Sequence, residues 1–159
     1  MPDYAGEFSL ERTYNSLGGK LKGSFGYGWE FAYDISLSVR SGGIYVLHFG
    51  YGRTVWFQWN GSEYVSDSDK HYTFARTGNG YAVTNAQDKT VYSFNWNGEL
   101  TSIADAGGST ALFAYADHKL IEITTPAGYE IGVDCDEDDR ITALTLPDGR
   151  KIQYAYDAS

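Results

Sequence analysis

Four aromatic side chains beside Asn-Gly dipeptides are the residues of this sequence best suited to bind a ligand: Trp56, Trp59, Tyr64 and Trp96. If they projected outward on one face, they would form a platform on which sugar rings stack, as in a carbohydrate-binding module. The alternative is that they fill the inner face of a sheet, where each wide aromatic buries roughly 150–250 Å². Because a regular strand reverses sides at every residue, Trp56 and Trp59 are predicted to lie on opposite faces. We therefore expect these aromatics to belong chiefly to the core.

A run of carboxylates from Asp134 to Asp139 could bind a hard cation such as calcium, which takes several oxygen ligands from alternating positions. The calcium-loop rule fails here, because the glycine required at position six is Asp139 and the closing glutamate at position twelve is Thr145. The run is interpreted as a solvated turn between repeats, and no metal site is predicted.

The remaining reactive side chains do not form a catalytic pattern. His48, His71 and His118 are widely spaced, and no carboxylate or cysteine lies near them in a metal-ligand pattern. Neither a G-x-S-x-G elbow nor a phosphate-binding loop occurs. Cys135 occupies the position held by tyrosine in its sister repeats, which indicates a packed side chain rather than a nucleophile. We predict no enzyme activity and no cofactor.

Composition and charge limit the remaining classes. The net charge of -9 would repel a phosphate backbone, so no nucleic-acid partner is expected. Most of this charge lies in residues 96–159, which hold 12 acidic and 4 basic side chains. No apolar run is long enough to span a membrane, and the first residues do not resemble a signal peptide. A single cysteine excludes an intrachain disulfide, so packing must hold the fold together.

Strand alternation dominates the sequence, and 16% aromatics with 19 glycines suit pleated sheet and tight turns. Turn dipeptides separate the apolar runs, for example Asn60-Gly61, Asn97-Gly98 and Asp148-Gly149. Because these residues tolerate positive φ, the dipeptides predict type I′ hairpin turns. Two short stretches around 107–117 and 134–141 could form at most a turn of helix.

The second half contains a repeat of 20 and then 21 residues. Each copy has a first strand (100–103, 120–123 and 141–144), a turn with a glycine, and a second strand ending seven residues after that glycine. A single hairpin cannot bury its apolar face, so neighbouring copies must lie side by side in one long sheet. The positions that define the repeat are Leu100, Gly108, Tyr115, Leu120, Gly128, Cys135, Ile141, Gly149, Tyr156 and Asp157.

These copies resemble the Rhs or YD-repeat proteins, whose repeat is loosely Gly-Arg-Leu, a glycine turn and Tyr-x-Tyr-Asp. The nearest copy is DGRKIQYAYD at residues 148–157. The segment FSLERTYNS at 8–16, followed by GYGW at 26–29 and Tyr33-Asp34, resembles the opening segment that precedes the repeats in such proteins. The other two copies keep only half of the Tyr-Asp pair, in Tyr115-Ala116 and Cys135-Asp136.

The resemblance implies an all-β fold, an antiparallel meander of stacked hairpins that forms one long, twisted, curled sheet. We expect a single domain over residues 1–159, with an opening segment at 1–50, connecting hairpins at 51–95 and repeat hairpins at 96–159. The implied function is a segment of a β-sheet shell that encloses a C-terminal toxin or effector in a bacterial secreted or cell-surface protein. Its partners would be further YD repeats of a parent chain, or an identical chain, joined through sheet edges. A carbohydrate-binding or adhesive module with a glycan partner is the alternative.

Overall fold

The computed structural model describes residues 33–49, 53–66 and 69–155, and the backbone of four short strands before residue 33. The described residues contain 17 strands and no helix, which confirms the all-β prediction. In chain order the strands are β1 (Arg12–Tyr14), β2 (Lys22–Gly23), β3 (Gly26–Tyr27), β4 (Trp29–Phe31), β5 (Ser36–Arg40), β6 (Ile44–His48), β7 (Thr54–Trp59), β8 (Tyr64–Val65), β9 (Tyr72–Arg76), β10 (Gly80–Asn85), β11 (Val91–Asn95), β12 (Leu100–Ala104), β13 (Thr110–Ala116), β14 (Lys119–Thr124), β15 (Glu130–Cys135), β16 (Ile141–Thr145) and β17 (Lys151–Gln153). No helix in the described part of the chain is long and apolar enough to cross a membrane.

Strands β5 to β17 form an antiparallel meander, as predicted, but in two open sheets rather than one long sheet. Every strand pairs with the strand next to it in sequence, which is the pattern produced by successive hairpins. The second sheet arises because the first four of these strands, β5 to β8, pair only among themselves. These four strands do not extend the other sheet. Instead, their inner face is buried against aromatic side chains from later strands.

The chain divides into two compact units, one of residues 35–110 and the other of residues 1–34 and 111–159. Residues 35–110 form one unit because they supply two facing groups of four strands, β5–β8 and β9–β12, which enclose a core of their own. The expected single domain with boundaries near residues 50 and 95 stays a prediction. In the other unit, β13 to β17 lie side by side in chain order.

The repeat predicted from residue 100 onward is present in the structure. Gly108, Gly128 and Gly149 occupy equivalent turns with φ of 88°, 90° and 86°. In each turn the glycine N–H donates to the carbonyl three residues earlier, for example Gly128 to Thr125 at 2.9 Å. The predicted second strands follow as β13, β15 and β17, while Tyr156 and Asp157 lie outside the described residues.

The predicted type I′ geometry is wrong for the turns at Asn97-Gly98 and Asp148-Gly149. Neither Asn97 nor Asp148 has positive φ, and only the glycine that follows each of them does. The loops have three residues, a type I turn closed by a glycine bulge, which also matches right-handed strand twist. A two-residue turn with positive φ at both positions occurs instead at Asp117 (51°) and His118 (65°), between β13 and β14.

A β-bulge recurs at the second position of each first strand, at Thr101, Ile121 and Thr142. The hydroxyl groups of Thr101 and Thr142 donate to the carbonyls of Ser93 and Asp134, at 3.1 and 3.2 Å. An extra residue in one strand lets side chains three positions apart face the same side. Ile141 and Leu144 are accordingly both about 1% exposed.

The turn between β11 and β12 lies directly against edge strand β5. The N–H of Leu37 donates to the carbonyl of Gly98 at 2.9 Å, and Ser36 forms an isolated bridge with Glu99. A Cβ on Gly98 would come within 1.8 Å of the Leu37 carbonyl oxygen. Glycine is therefore required here for close backbone approach as well as for its φ of 79°.

Candidate functional site

The core of the 35–110 unit is aromatic. Phe74 of β9 stacks on Tyr45 of β6 with centroids 4.5 Å apart and on Phe57 of β7 at 5.5 Å. Tyr81 of β10 contacts Tyr45 at 5.2 Å and Phe74 at 5.7 Å. All four side chains are at most 8% exposed. This buried cluster holds the two groups of strands face to face. Burial raises the pKa of the Tyr45 hydroxyl, and the neighbouring Tyr81 raises it further.

The tryptophans described in the structure do not fill the inner face, contrary to expectation. Trp56, Trp59 and Trp96 are 39%, 52% and 50% exposed. Trp56 alternates with Val55 and Phe57, which are fully buried, so it projects from the opposite face of β7. Trp59 is in phase with the buried residues, but it ends the strand, where the cover is incomplete.

Three of the four predicted stacking residues, Trp59, Tyr64 and Trp96, belong to one aromatic network. Trp59 contacts Tyr64 edge to face at 5.1 Å, and Tyr64 contacts the buried Phe74 at 4.9 Å. Trp96 contacts Tyr81 edge to face at 5.2 Å. We call Trp59, Tyr64, Tyr81 and Trp96 the aromatic rim. Its two exposed indoles are each supported by a tyrosine that packs into the core.

Trp56 is separated from the aromatic rim, because it lies on the other face of its strand, as alternation predicted. The guanidinium of Arg40 lies 4.8 Å from the centre of its ring. Its indole N–H donates to the hydroxyl of Thr54 at 3.2 Å. On the same face His48 contacts the Ser38 hydroxyl at 2.8 Å, and burial, assisted by the charge of Arg40, lowers the pKa of His48.

Asp136 and Asp139 of the acidic run bind backbone N–H groups or basic side chains. One oxygen of Asp136 accepts the N–H groups of Asp138 and Arg140 at 2.9 and 3.0 Å, and the other accepts the Arg140 side chain at 2.8 Å. Burial alone would raise the pKa of Asp136, but these donors lower it overall. Asp139 pairs with Lys119 at 3.4 Å. The residues described here contain no group of three or more His, Cys, Asp or Glu side chains placed to hold a metal.

Cys135 lies half-buried at the end of β15, opposite Ile141. Its sulfur lies 3.6 Å from the Leu120 carbonyl, to which the thiol donates. Burial raises the pKa of the thiol, and the neighbouring aspartates add to the effect against the opposing charge of Lys119. A raised pKa leaves little thiolate at neutral pH, so the site disfavours nucleophilic chemistry.

Sequence reasoning did not identify a cluster of Arg53, Asp69 and His71 at the surface. One Asp69 oxygen accepts the backbone N–H of His71 at 3.0 Å and lies 2.9 Å from its ring Nδ1, while the other pairs with Arg53. These contacts, the backbone hydrogen bond foremost, lower the pKa of Asp69. The Arg53 guanidinium lies 5.5 Å from the Tyr72 ring centre. Arg53 and Asp69 are 16 residues apart, and nothing in their spacing indicates that they meet.

Comparison with known families adds one finding. A family model described as Domain of unknown function (DUF6531) matches residues 1–57, about a third of the chain. The match ends within β7, before the hairpin repeats begin. No curated protein matches the chain. The fold and surfaces define an all-β protein of consecutive antiparallel hairpins, one part of which matches this domain family.

Proposed function

We propose that the chain is a structural segment of a β-sheet shell, part of a bacterial secreted or cell-surface protein of the Rhs or YD-repeat kind. In this role its hairpins form part of the wall of a container that encloses and delivers a C-terminal toxin or effector. The partners are further YD repeats of a parent chain, or an identical chain, joined edge to edge.

The observation that carries this proposal is the equivalence of the hairpins beyond β11. Turns of the same hydrogen-bond pattern recur at Gly108, Gly128 and Gly149, and bulges recur at equivalent positions in the first strands. Units with equivalent geometry bury apolar surface by lying beside one another, and the last unit offers its edge to the next. A wall of any length can be built by this rule.

Strand β17 is the edge of its sheet among the described strands, and its hydrogen bonds show which groups remain for a partner. The N–H of Tyr154 donates to the Thr142 carbonyl, and the Arg150 carbonyl accepts from Leu146, both at 2.8 Å. Residues 150, 152 and 154 thus point their backbone groups toward β16. By alternation, Lys151 and Gln153 point theirs away from it, where another strand could pair.

Proline at Gln153 tests edge pairing without disturbing β16, because it removes only an N–H that points away from the sheet. We expect the wild-type chain to associate with increasing concentration in sedimentation velocity experiments, and Gln153→Pro to remain monomeric with an unchanged circular dichroism spectrum. Gln153→Thr, which keeps the N–H, is the matched control and should associate like wild type. Equal association of the proline variant, or a wild-type chain that never associates, would contradict edge pairing.

Encapsulation itself is tested in the parent protein. We expect the coding region after Ser159 to continue with YD hairpins and a variable tail, and the tail to resist protease in the intact protein. A stop codon directly after Ser159, or a tail digested as fast as when it is expressed alone, would exclude the container role.

Exposure of the tryptophans favours a second candidate function, a carbohydrate-binding or adhesive module. Trp59 and Trp96 expose about half of their surface. A shell role requires a buried aromatic stripe, which Tyr45, Phe57 and Phe74 already supply, and it does not require exposed indoles. Titration of the chain with polysaccharides while tryptophan fluorescence is recorded tests this function, and an unchanged spectrum would count against it.

A further inference from the structure

The guanidinium of Arg76 lies over the exposed end of the aromatic rim. It is 5.5 Å from the centre of the Trp96 ring, at the end of strand β9. Within the described residues, no carboxylate forms an ion pair with Arg76, whereas Arg53, Arg140 and Arg150 each have one. Arg76 therefore presents a charge and several N–H donors to solvent beside an exposed indole.

Both exposed indoles are fixed in place by the turns next to them. Trp96 lies in the turn after Asn95, whose side-chain oxygen accepts the N–H groups of Asn97 and Glu99, both at 3.0 Å. Trp59 precedes Asn60, whose side-chain oxygen likewise accepts two backbone N–H groups at 2.9 Å. Tyr64 and Tyr81 support the rings from the core side. A surface held in this way loses little conformational entropy when a ligand binds.

The area of the aromatic rim is too small for a stable protein partner. Two half-exposed tryptophans offer on the order of 200 Å² of apolar surface, since a whole aromatic side chain buries roughly 150–250 Å². A specific protein interface buries about 800 Å² on each side. Sugar rings match the smaller area, because each ring covers one indole and its hydroxyl groups remain in water.

The charge beside the aromatic rim favours acidic sugars over neutral ones as ligands. Although the whole chain carries -9, residues 35–110 hold six acidic and five basic side chains, so this unit is close to neutral. At physiological ionic strength, charges beyond about 8 Å are largely screened, so the Arg76 guanidinium, 5.5 Å from the centre of the Trp96 ring, acts on a ligand bound there while distant charges contribute little. A planar guanidinium without a carboxylate partner matches a carboxylate through two parallel hydrogen bonds.

We propose that Trp59, Trp96 and Arg76 form a binding surface for an acidic polysaccharide. Sugar rings pack on the two indoles, and a uronate carboxylate accepts hydrogen bonds from Arg76. This inference rests on the second candidate function, glycan binding, and is independent of the shell role.

Polygalacturonate, alginate and hyaluronan, each paired with its methyl-esterified form, test the inference. We expect at least one acid form to bind about tenfold more tightly than its ester by isothermal titration, the value of one charge-assisted hydrogen bond. Arg76→Gln should make the acid and ester forms bind equally. Trp59→Ala and Trp96→Ala should weaken the binding of both forms. Trp56→Ala is the matched control, an exposed tryptophan that also carries an arginine but lies on the opposite face, and it should bind like wild type.

The outcomes distinguish glycan binding from recognition of the acid group. If a polysaccharide binds and its acid and ester forms bind equally to wild type, acid recognition is refuted and glycan binding stands. If none of the six polymers binds, both are refuted. If Trp56→Ala weakens binding as much as Trp96→Ala does, the site is not at the aromatic rim. Arg76 is exposed, so Arg76→Gln tests the charge even if a tryptophan variant fails to fold.

Discussion

Replacing Gly98 with alanine should destabilise the protein far more than replacing Gly128 with alanine. Both glycines have similar positive φ, 79° and 90°, so the penalty for placing an L-residue in this conformation, about 1 kcal/mol, is common to the two variants. A Cβ at Gly128 meets nothing within 4 Å, whereas at Gly98 it lies 1.8 Å from the Leu37 carbonyl oxygen and 2.9 Å from its carbon. Both neighbours are backbone atoms, so a rotamer change cannot relieve the overlap.

The clash has two costs. Forcing extra volume into a close contact costs about 1–3 kcal/mol. Displacing the turn also weakens the hydrogen bond from the Leu37 N–H to the Gly98 carbonyl, worth about 1 kcal/mol. We therefore expect Gly98→Ala to lose about 3–5 kcal/mol of unfolding free energy and Gly128→Ala about 1 kcal/mol.

Urea unfolding followed by tryptophan fluorescence and by circular dichroism measures both variants. Gly107→Ala, at a turn glycine without positive φ, is the control and should change stability little. Native-state hydrogen exchange should also show faster exchange of the Leu37 amide in Gly98→Ala only. Equal losses for Gly98→Ala and Gly128→Ala would refute the close approach of this turn to β5.

Two further predictions concern the repeat hairpins. Ile121→Thr places a hydroxyl at the bulge where Thr101 and Thr142 already donate to a carbonyl, so it should stabilise the chain by about 0.5–1.5 kcal/mol in urea unfolding. A loss of stability would show that the three bulges are not equivalent. The lowered pKa of Asp136 means that its contribution to stability is complete above the unfolded pKa of about 3.9 and is lost as pH falls through the lower folded value. Asp136→Asn should therefore lose less stability than wild type between pH 5 and pH 2 in thermal melts, and identical pH profiles would contradict this reasoning.

Strand type and the repeat could be predicted from the sequence because both depend on local chemistry. Alternation, together with β-branched and aromatic residues, specifies strands, and the recurring glycines mark residues that need positive φ. The sequence also contains a signal for the bulges. Leu100 and Ile103, like Ile141 and Leu144, are apolar residues three apart, which a regular strand would send to opposite faces. An extra residue between them resolves the conflict.

Other features depend on contacts between residues distant in sequence. The type I′ turn at Asp117 and His118 has no glycine to mark it. Its length of two residues is evident only from the pairing of β13 with β14. Arg53 meets Asp69 through the folding of the intervening strands. The exposure of Trp59 depends on where β7 ends, which its own residues do not specify. The separation of the strands into two sheets likewise depends on contacts between residues distant in sequence.

Amide hydrogen exchange along β17, measured by NMR over a dilution series, tests the central claim that equivalent hairpins join edge to edge. At low concentration we expect the amides of Ile152 and Tyr154 to be protected by β16 and those of Lys151 and Gln153 to exchange freely. At high concentration, the Lys151 and Gln153 amides should become protected as a second strand pairs with them. Exchange at these two amides that stays fast at every concentration, while the chain still associates, would contradict the account.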